Sequence, residues 1–82
     1  MKLTIIVGDN AVYKDRVAFF PVDLSATPSN VHALQFDTDT NTGHIEFKDA
    51  ANEEITFLPD WAVTAFNNYD TAVAAYLASK GQ

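Results

Sequence analysis

With 82 residues the chain is long enough for one domain, residues 1–82, and its 48% hydrophobic content indicates a folded rather than a disordered protein. The absence of cysteine excludes disulfides, thiolate nucleophiles and cysteine-based metal sites. The net charge is −6 and the five basic residues are scattered, so we expect neither nucleic acid nor an anionic membrane surface as a partner.

The N-terminal quarter of the chain predicts short strands joined by turns. A β-branched apolar run over residues 2–7 predicts a first strand that ends at the turn of residues 8–10. This run is too short for the apolar core of a signal peptide or for a membrane span, so we expect a soluble protein without a targeting segment. A second strand at residues 12–13 and a return strand over residues 16–20 follow, with a tight turn at residues 14–15.

These N-terminal strands are apolar on both faces. One face carries Leu3, Ile5, Val17 and Phe19. Ile6 and Phe20 fall on the other face, because successive side chains of a strand point to opposite sides. The second face is either covered by the polar loop predicted over residues 23–30 or offered to a partner. Ile6 and Phe20 are therefore candidate partner-binding residues.

Residues 31–48 predict a β-hairpin with one apolar and one polar face. If Phe36 lies opposite Ile45 and Leu34 opposite Phe47, these four side chains share one face. Such alternation is typical of an antiparallel pair with one side in water. The polar face then carries Gln35, Asp37, His44, Glu46 and Lys48. Three of these, Gln35, His44 and Glu46, join the candidate partner-binding residues.

A short edge strand and the start of a helix follow the hairpin. After a turn at residues 49–52, the apolar residues 55–58 predict the edge strand. Pro59 and Asp60 predict the helix start, because Pro is tolerated in the first turn and Asp is favourable at the positive end of the helix dipole. Trp61, in the first turn, is interpreted as a packing anchor against the sheet.

The C-terminal residues predict a helix of about 20 residues with one apolar stripe. The stripe consists of Ala62, Phe66, Tyr69, Val73, Tyr76 and Leu77. Gly81 is expected to end the helix, and Asn67-Asn68 leave open a division into two helices. The predicted fold class is α+β: a small antiparallel β-sheet of hairpins, packed on one face by a single C-terminal α-helix.

The hairpin tip is the sharpest candidate for a metal site. Asp37, Asp39 and Asn41 place oxygen donors at alternate positions, as calcium-binding loops do. Compared with an EF-hand loop, however, Gly43 falls one place late and Lys48 occupies the position of the bidentate glutamate. We interpret these residues as turn formers, with a calcium site as the open alternative.

The remaining ionisable residues predict no catalytic site. His32 and His44 fall on opposite faces of the hairpin and cannot share a zinc ion. His44 beside Asp37 would form a pair of the kind that orients a catalytic base, but a nucleophile is missing. The adjacent carboxylates at residues 53–54 lie in an apparent turn, where water surrounds both groups and neither is singled out as a catalytic acid. We expect no enzyme activity and no cofactor.

The central half of the chain carries a pattern of four segments: Val31-His32-Ala33-Leu34-Gln35-Phe36, Gly43-His44-Ile45-Glu46-Phe47, Asn52-Glu53-x-Ile55 and Leu58-Pro59-Asp60-Trp61-Ala62. This pattern resembles a family of small uncharacterised proteins of tailed bacteriophages, which are often encoded near tail and tail-fibre genes. Phe36 and His44 stand where that family more often has tryptophan, and the hairpin tip is longer. The resemblance implies a phage origin and a role in the virion tail or its assembly, and it supplies no catalytic residues.

The resulting expectation is a non-enzymatic bacteriophage accessory protein that acts by protein–protein contacts, as a tail or virion component or as a tail-assembly factor. The alternative is a phage-encoded inhibitor that binds a host bacterial protein. The partner is thus a phage structural protein or a host protein, the location is the virion or the host cytoplasm, and a homo-oligomer is left open.

Overall fold

A computed structural model of the protein describes residues 1–80, which form a six-stranded antiparallel sheet and one long helix. The strands are β1 (Lys2–Ile6), β2 (Ala11–Lys14), β3 (Val17–Phe19), β4 (Val31–Asp37), β5 (Thr42–Phe47) and β6 (Glu53–Ile55). A short 3-10 helix spans Val7–Asp9, and the helix α1 spans Asp60–Lys80. The predicted α+β fold, a sheet packed by a single C-terminal helix, is confirmed.

The strands lie in the order β3-β2-β1-β4-β5-β6, and every neighbouring pair is antiparallel. Two meanders, β1 to β3 and β4 to β6, are therefore joined along β1 and β4. The long loop over residues 20–30 makes this possible, because it returns the chain from the edge strand β3 to a place beside β1. The two edges of the sheet are β3 and β6.

The first hairpin turn lies one residue later than predicted. Lys14 is paired with Val17, so Asp15 and Arg16 form the turn rather than residues 14–15. Asp15 has a positive φ of 54°, a left-handed conformation that Asp adopts more readily than most residues. Its side chain also accepts a hydrogen bond of 2.9 Å from the backbone N–H of Lys2, which secures the turn against β1.

The register of the β4–β5 hairpin differs by two residues from the predicted one. Leu34 lies opposite Ile45, and Phe36 lies opposite Gly43. The predicted pairs of Phe36 with Ile45 and of Leu34 with Phe47 are therefore wrong. A shift of two residues preserves the alternation of side chains, so the division into an apolar and a polar face is unaffected.

The observed register goes with a four-residue tip and with a β-bulge at the opposite end of the hairpin. Asp37 and Thr42 still lie opposite each other, so the tip consists of residues 38–41, where Asn41 adopts a positive φ of 55°. At the other end, a β-bulge between Val31 and Ala33 shifts the register by one more residue and brings Val31 opposite Phe47.

The core lies between α1 and one face of the sheet. Its buried members are Leu3, Ile5, Val12, Val22, Val31, Leu34, Phe36, Ile45, Ile55, Ala62, Ala65, Phe66 and Tyr69. Ile5 and Leu34 are paired on adjacent central strands and are fully buried. Trp61 packs against this cluster from the first turn of α1, as predicted.

The loop over residues 23–30 covers the helix side of the sheet and leaves the second face uncovered. Val22 belongs to the core cluster and Leu24 packs against it. The side-chain amide of Asn68 donates a hydrogen bond of 3.0 Å to the backbone carbonyl of Asp23, which ties the loop to α1. Of the two alternatives for the second face, coverage by this loop is therefore wrong.

The helix is continuous, but its buried stripe ends earlier than predicted. Ala62, Phe66 and Tyr69 are buried, whereas Tyr76 and Leu77 are 47% and 60% exposed. The ring of Tyr76 packs edge-on against that of Phe19 in the edge strand β3, with centroids 5.6 Å apart, and the ammonium group of Lys80 lies 5.6 Å from the centroid of the Tyr76 ring. Residues 76–80 are all exposed, and β3 is the last strand of the sheet on this side. Gly81, the predicted helix end, lies outside the described residues.

The edge strand β6 also differs from its predicted position at residues 55–58. Glu53, Glu54 and Ile55 are paired with Ile45, His44 and Gly43. The strand therefore begins two residues earlier than predicted and ends at Ile55. Phe57, which the predicted strand contained, is 70% exposed.

Candidate functional site

We call the side of the sheet that faces away from α1 the open face, and the strand register identifies the residues that lie on it. Residues that lie directly opposite each other on neighbouring strands place their side chains on the same face. One row across all six strands consists of Glu54, His44, Gln35, Thr4, Tyr13 and Ala18. A second row consists of Glu46, Ala33, Ile6 and Ala11, and a third of Thr42, Asp37 and Lys2.

The structure places all five predicted partner-binding residues on or beside this open face. Gln35, His44 and Glu46 form a polar group on β4 and β5. Ile6 lies on β1, separated from Glu46 by Ala33 alone. Phe20 follows β3 at the far edge, so the open face grades from polar at one side to aromatic at the other.

The polar group is held by one direct side-chain contact. The Nε2 atom of His44 lies 3.1 Å from a carboxylate oxygen of Glu46, and both residues are half-buried. His44 lies opposite Gln35 on one side and opposite Glu54 on the other. The imidazole thus contacts Glu46 rather than Asp37, the carboxylate considered from the sequence.

The carboxylates of Asp37 and Asp39 are engaged by the backbone of the turn and by the amino group of Met1. Asp37 accepts a hydrogen bond of 2.9 Å from the backbone N–H of Asp39. The amino group of Met1 lies 3.1 Å from Asp39, and this hydrogen bond raises the pKa of the amino group above its usual value. Within residues 1–80, no group of three or more His, Cys, Asp and Glu side chains is arranged to hold a metal ion. These contacts support the interpretation of the tip as a turn.

A shallow depression of about 240 Å³ lies at the aromatic side of the open face, lined by Asp9, Ala11, Tyr13 and Phe20. Ala11 is buried and forms its floor, Tyr13 is half-buried, and Phe20 is 69% exposed. Asp9 ends the 3-10 helix and is exposed at the rim. The depression therefore combines two aromatic rings with one carboxylate.

Two backbone features create this depression. Asn10 adopts a positive φ of 49° and turns the chain from the 3-10 helix into β2. The N–H of Val22 donates a hydrogen bond of 2.8 Å to the carbonyl of Asn10, which brings the segment after β3 back beside the start of β2. Phe20 is thereby held next to Ala11.

Sequence reasoning found Phe20 but missed Tyr13 and Asp9. The alternation of β2 contained a signal for Tyr13, because Val12 faces the core and its neighbour must then face away. Asp9 carried no such signal, since it belongs to a turn whose direction depends on the conformation of Asn10.

The open face is predominantly acidic. Its three rows and the depression contain four carboxylates, Asp9, Asp37, Glu46 and Glu54, against one lysine, Lys2. This excess of negative charge agrees with the net charge of −6 for the chain. A positively charged surface is therefore the electrostatic complement of this face.

Comparison of the chain with protein-family models, with curated proteins and with solved structures gave no match. Across residues 1–80, no helix is both long enough and apolar enough to cross a membrane. The chemistry of the open face is thus the basis on which a function is proposed.

Proposed function

We propose that this protein acts without catalysis, through protein–protein contacts made by its open face. The observation that carries the proposal is the uncovered aromatic side of that face, where Phe20 is 69% exposed beside Tyr13. Aromatic residues surrounded by polar side chains are enriched in protein interfaces, because they bury a large apolar area at low entropic cost. The polar group of Gln35, His44 and Glu46 would form the rim.

The proposed setting is a tailed bacteriophage, with the protein as a tail or virion component or as a tail-assembly factor. The resemblance of the central segments to small phage proteins supports this setting. A second candidate is a phage-encoded inhibitor that binds a basic surface of a host bacterial protein. The acidic open face favours it, since complementary charge accelerates and orients association.

Mass spectrometry of purified virions, with affinity purification from infected cells, tests the proposal. Detection in particles, or recovery of phage tail proteins, would support the role in the virion or its assembly. Recovery of one host protein in the absence of tail proteins would favour the inhibitor. Absence from particles together with no specific protein partner would overturn both.

A matched pair of variants tests whether the open face makes the contact. Phe20→Ala should abolish or strongly weaken binding of the recovered partner. Phe57→Ala removes an equally exposed phenyl ring, 70% against 69%, from beyond the end of β6 and should leave binding unchanged. Equal effects of the two substitutions would contradict a contact through the open face.

A further inference from the structure

We propose that the depression formed by Asp9, Ala11, Tyr13 and Phe20 binds the cationic side chain of a lysine or arginine presented by a partner protein. This inference rests on the proposed function, because it names the chemistry of the partner at the same open face. It goes beyond that function in assigning a binding site for one type of side chain.

The size of the depression fits one long side chain better than a whole small molecule. Its volume is about 240 Å³, whereas pockets for small-molecule ligands measure roughly 300–1,000 Å³. The floor is Ala11, whose short side chain lets a ligand approach the sheet closely. Tyr13 and Phe20 also line the depression, and the face of an aromatic ring attracts a cation through its quadrupole.

Asp9 supplies the negative charge that distinguishes a cation from a neutral apolar side chain. It lies at the rim of the depression, and no ion pair within residues 1–80 includes it. A lysine or arginine side chain in the depression would therefore find an available carboxylate. Charge-assisted hydrogen bonds of this kind are roughly twice as strong as neutral ones.

The helix side of the same strand already holds a lysine in this way. The ammonium group of Lys14 lies 2.7 Å from a carboxylate oxygen of Asp70 and 5.5 Å from the ring centroid of Tyr69. One carboxylate and one aromatic ring thus bind an internal lysine on one face of β2. On the opposite face, Tyr13 and Asp9 offer the same groups, and no ion pair or cation–π contact within residues 1–80 includes either of them. Phe20 adds a second ring.

The negative charge of the chain favours a basic segment of a partner protein as the occupant of the depression. The open face carries an excess of carboxylates and the chain a net charge of −6, so a basic partner is attracted and an acidic one is repelled. Two copies of this chain would repel each other overall for the same reason. We therefore assign the depression to a different protein with an exposed Lys or Arg.

NMR titration of the ¹⁵N-labelled full chain tests the inference with defined probes. The probes are the blocked pentapeptides acetyl-Gly-Gly-Arg-Gly-Gly-amide and its Lys counterpart, with the Gln peptide as neutral control. Saturable shifts at residues 9–13 and 20 with the Arg or Lys peptide, and none with the Gln peptide, would support it. Equal shifts with all three peptides would overturn it.

Substitutions in the depression give the second measurement. Phe20→Leu and Asp9→Asn should each lower the affinity for the Arg peptide by about 2- to 5-fold, the range typical of exposed cation–π and ionic contacts. Phe57→Leu and Asp49→Asn, at exposed sites outside the depression, should leave affinity unchanged. Affinity that is insensitive to the first pair would overturn the inference, provided that the spectra show the fold retained.

The outcomes separate this inference from the proposed function. If binding of a recovered partner is weakened by Phe20→Ala but not by Phe20→Leu or Asp9→Asn, the proposed function stands and the cation site is wrong. If the Arg peptide binds as expected but no protein partner is found, the cation site stands and the proposed function is wrong. A dimer of the chain in sedimentation that Phe20→Leu disrupts would overturn the assignment to a different protein.

Discussion

Gly43 stands at a point of β5 where β4 leaves no room for a side chain, so replacing it with alanine should destabilise the fold. A Cβ atom at this position would overlap the carbonyl oxygen of Gln35 and lie 2.7 Å from the Cα atom of Phe36. It would also lie 2.9 Å from a ring carbon of Phe36. The constraint is one of space, because no glycine among the described residues has a positive φ.

The expected magnitude follows from these distances. Carbon atoms pack best at about 3.5–4.0 Å, so the contact with the Cα atom is roughly 0.8 Å too short. Backbone atoms cannot rotate away, and the strand must shift, which places the cost near the upper end of about 1–3 kcal/mol for overpacking. Alanine offsets up to about 1 kcal/mol of this cost, because it restricts the unfolded chain more than glycine does. A net loss of about 2 kcal/mol remains, or a Tm lower by roughly 8–16 °C.

Urea unfolding followed by the fluorescence of Trp61 measures this loss, because Trp61 packs against the core. Gly8→Ala is the matched control. Apart from the adjoining backbone, no heavy atom of the described residues lies within 4 Å of the corresponding Cβ, so this variant should be unchanged or more stable by up to about 1 kcal/mol. A Gly43→Ala variant as stable as the original protein, or equal to Gly8→Ala, would refute the reasoning.

Three further predictions concern the core, the helix and the acid limit of stability. Leu34→Ala removes most of a fully buried side chain from a central strand and should lower the free energy of unfolding by about 2–5 kcal/mol, measured with urea. A loss below about 1 kcal/mol would contradict the central place of Leu34 in the core. Tyr69→Phe deletes the hydroxyl that donates a hydrogen bond of 3.0 Å to the carbonyl of Val17. This variant should lose about 1 kcal/mol of stability in the same assay. An unchanged urea midpoint would show that water replaces this hydrogen bond without loss of stability. Hydrogen bonds from Ser25 lower the pKa of Asp23 from its usual 3.8. These hydrogen bonds therefore stabilise the fold fully above that value, and this stabilisation is lost as the pH falls through the lower pKa of the folded state. Asp23→Asn should therefore lose less stability than the original protein in unfolding measured from about pH 5 to about pH 2, and an identical pH profile would exclude this role.

Local patterns were sufficient to predict the existence of β1 to β5 and of α1, but not the position of β6. The alternation of Leu34 and Phe36 with polar neighbours assigns each side chain to a face, and that assignment survives a register shift of two residues. Pro59 and Asp60 likewise predict the start of α1, because their effect depends only on the first helical turn. For the same reason, Gln35, His44 and Glu46 could be placed on one face from the sequence.

The register and the ends of elements could not be predicted in this way. The pairing of Phe36 with Gly43 depends on the contact between two strands and on the four-residue tip at 38–41. The exposure of Leu77 depends on the sheet ending at β3, which no helical periodicity reveals. Each of these features is a property of two segments together.

The sequence by itself determined the α+β class, the order of the segments and the two-faced character of the hairpin, because propensity and alternation act over a few neighbouring residues. Only the tertiary structure decided which face remains open and where an aromatic depression forms on it. The loop that follows β3 packs on the helix side of the sheet through Val22. The hydrogen bond from the backbone N–H of Val22 to the carbonyl of Asn10 holds Phe20 beside Ala11. That bond joins residues 12 positions apart in the chain, so local sequence patterns do not encode it.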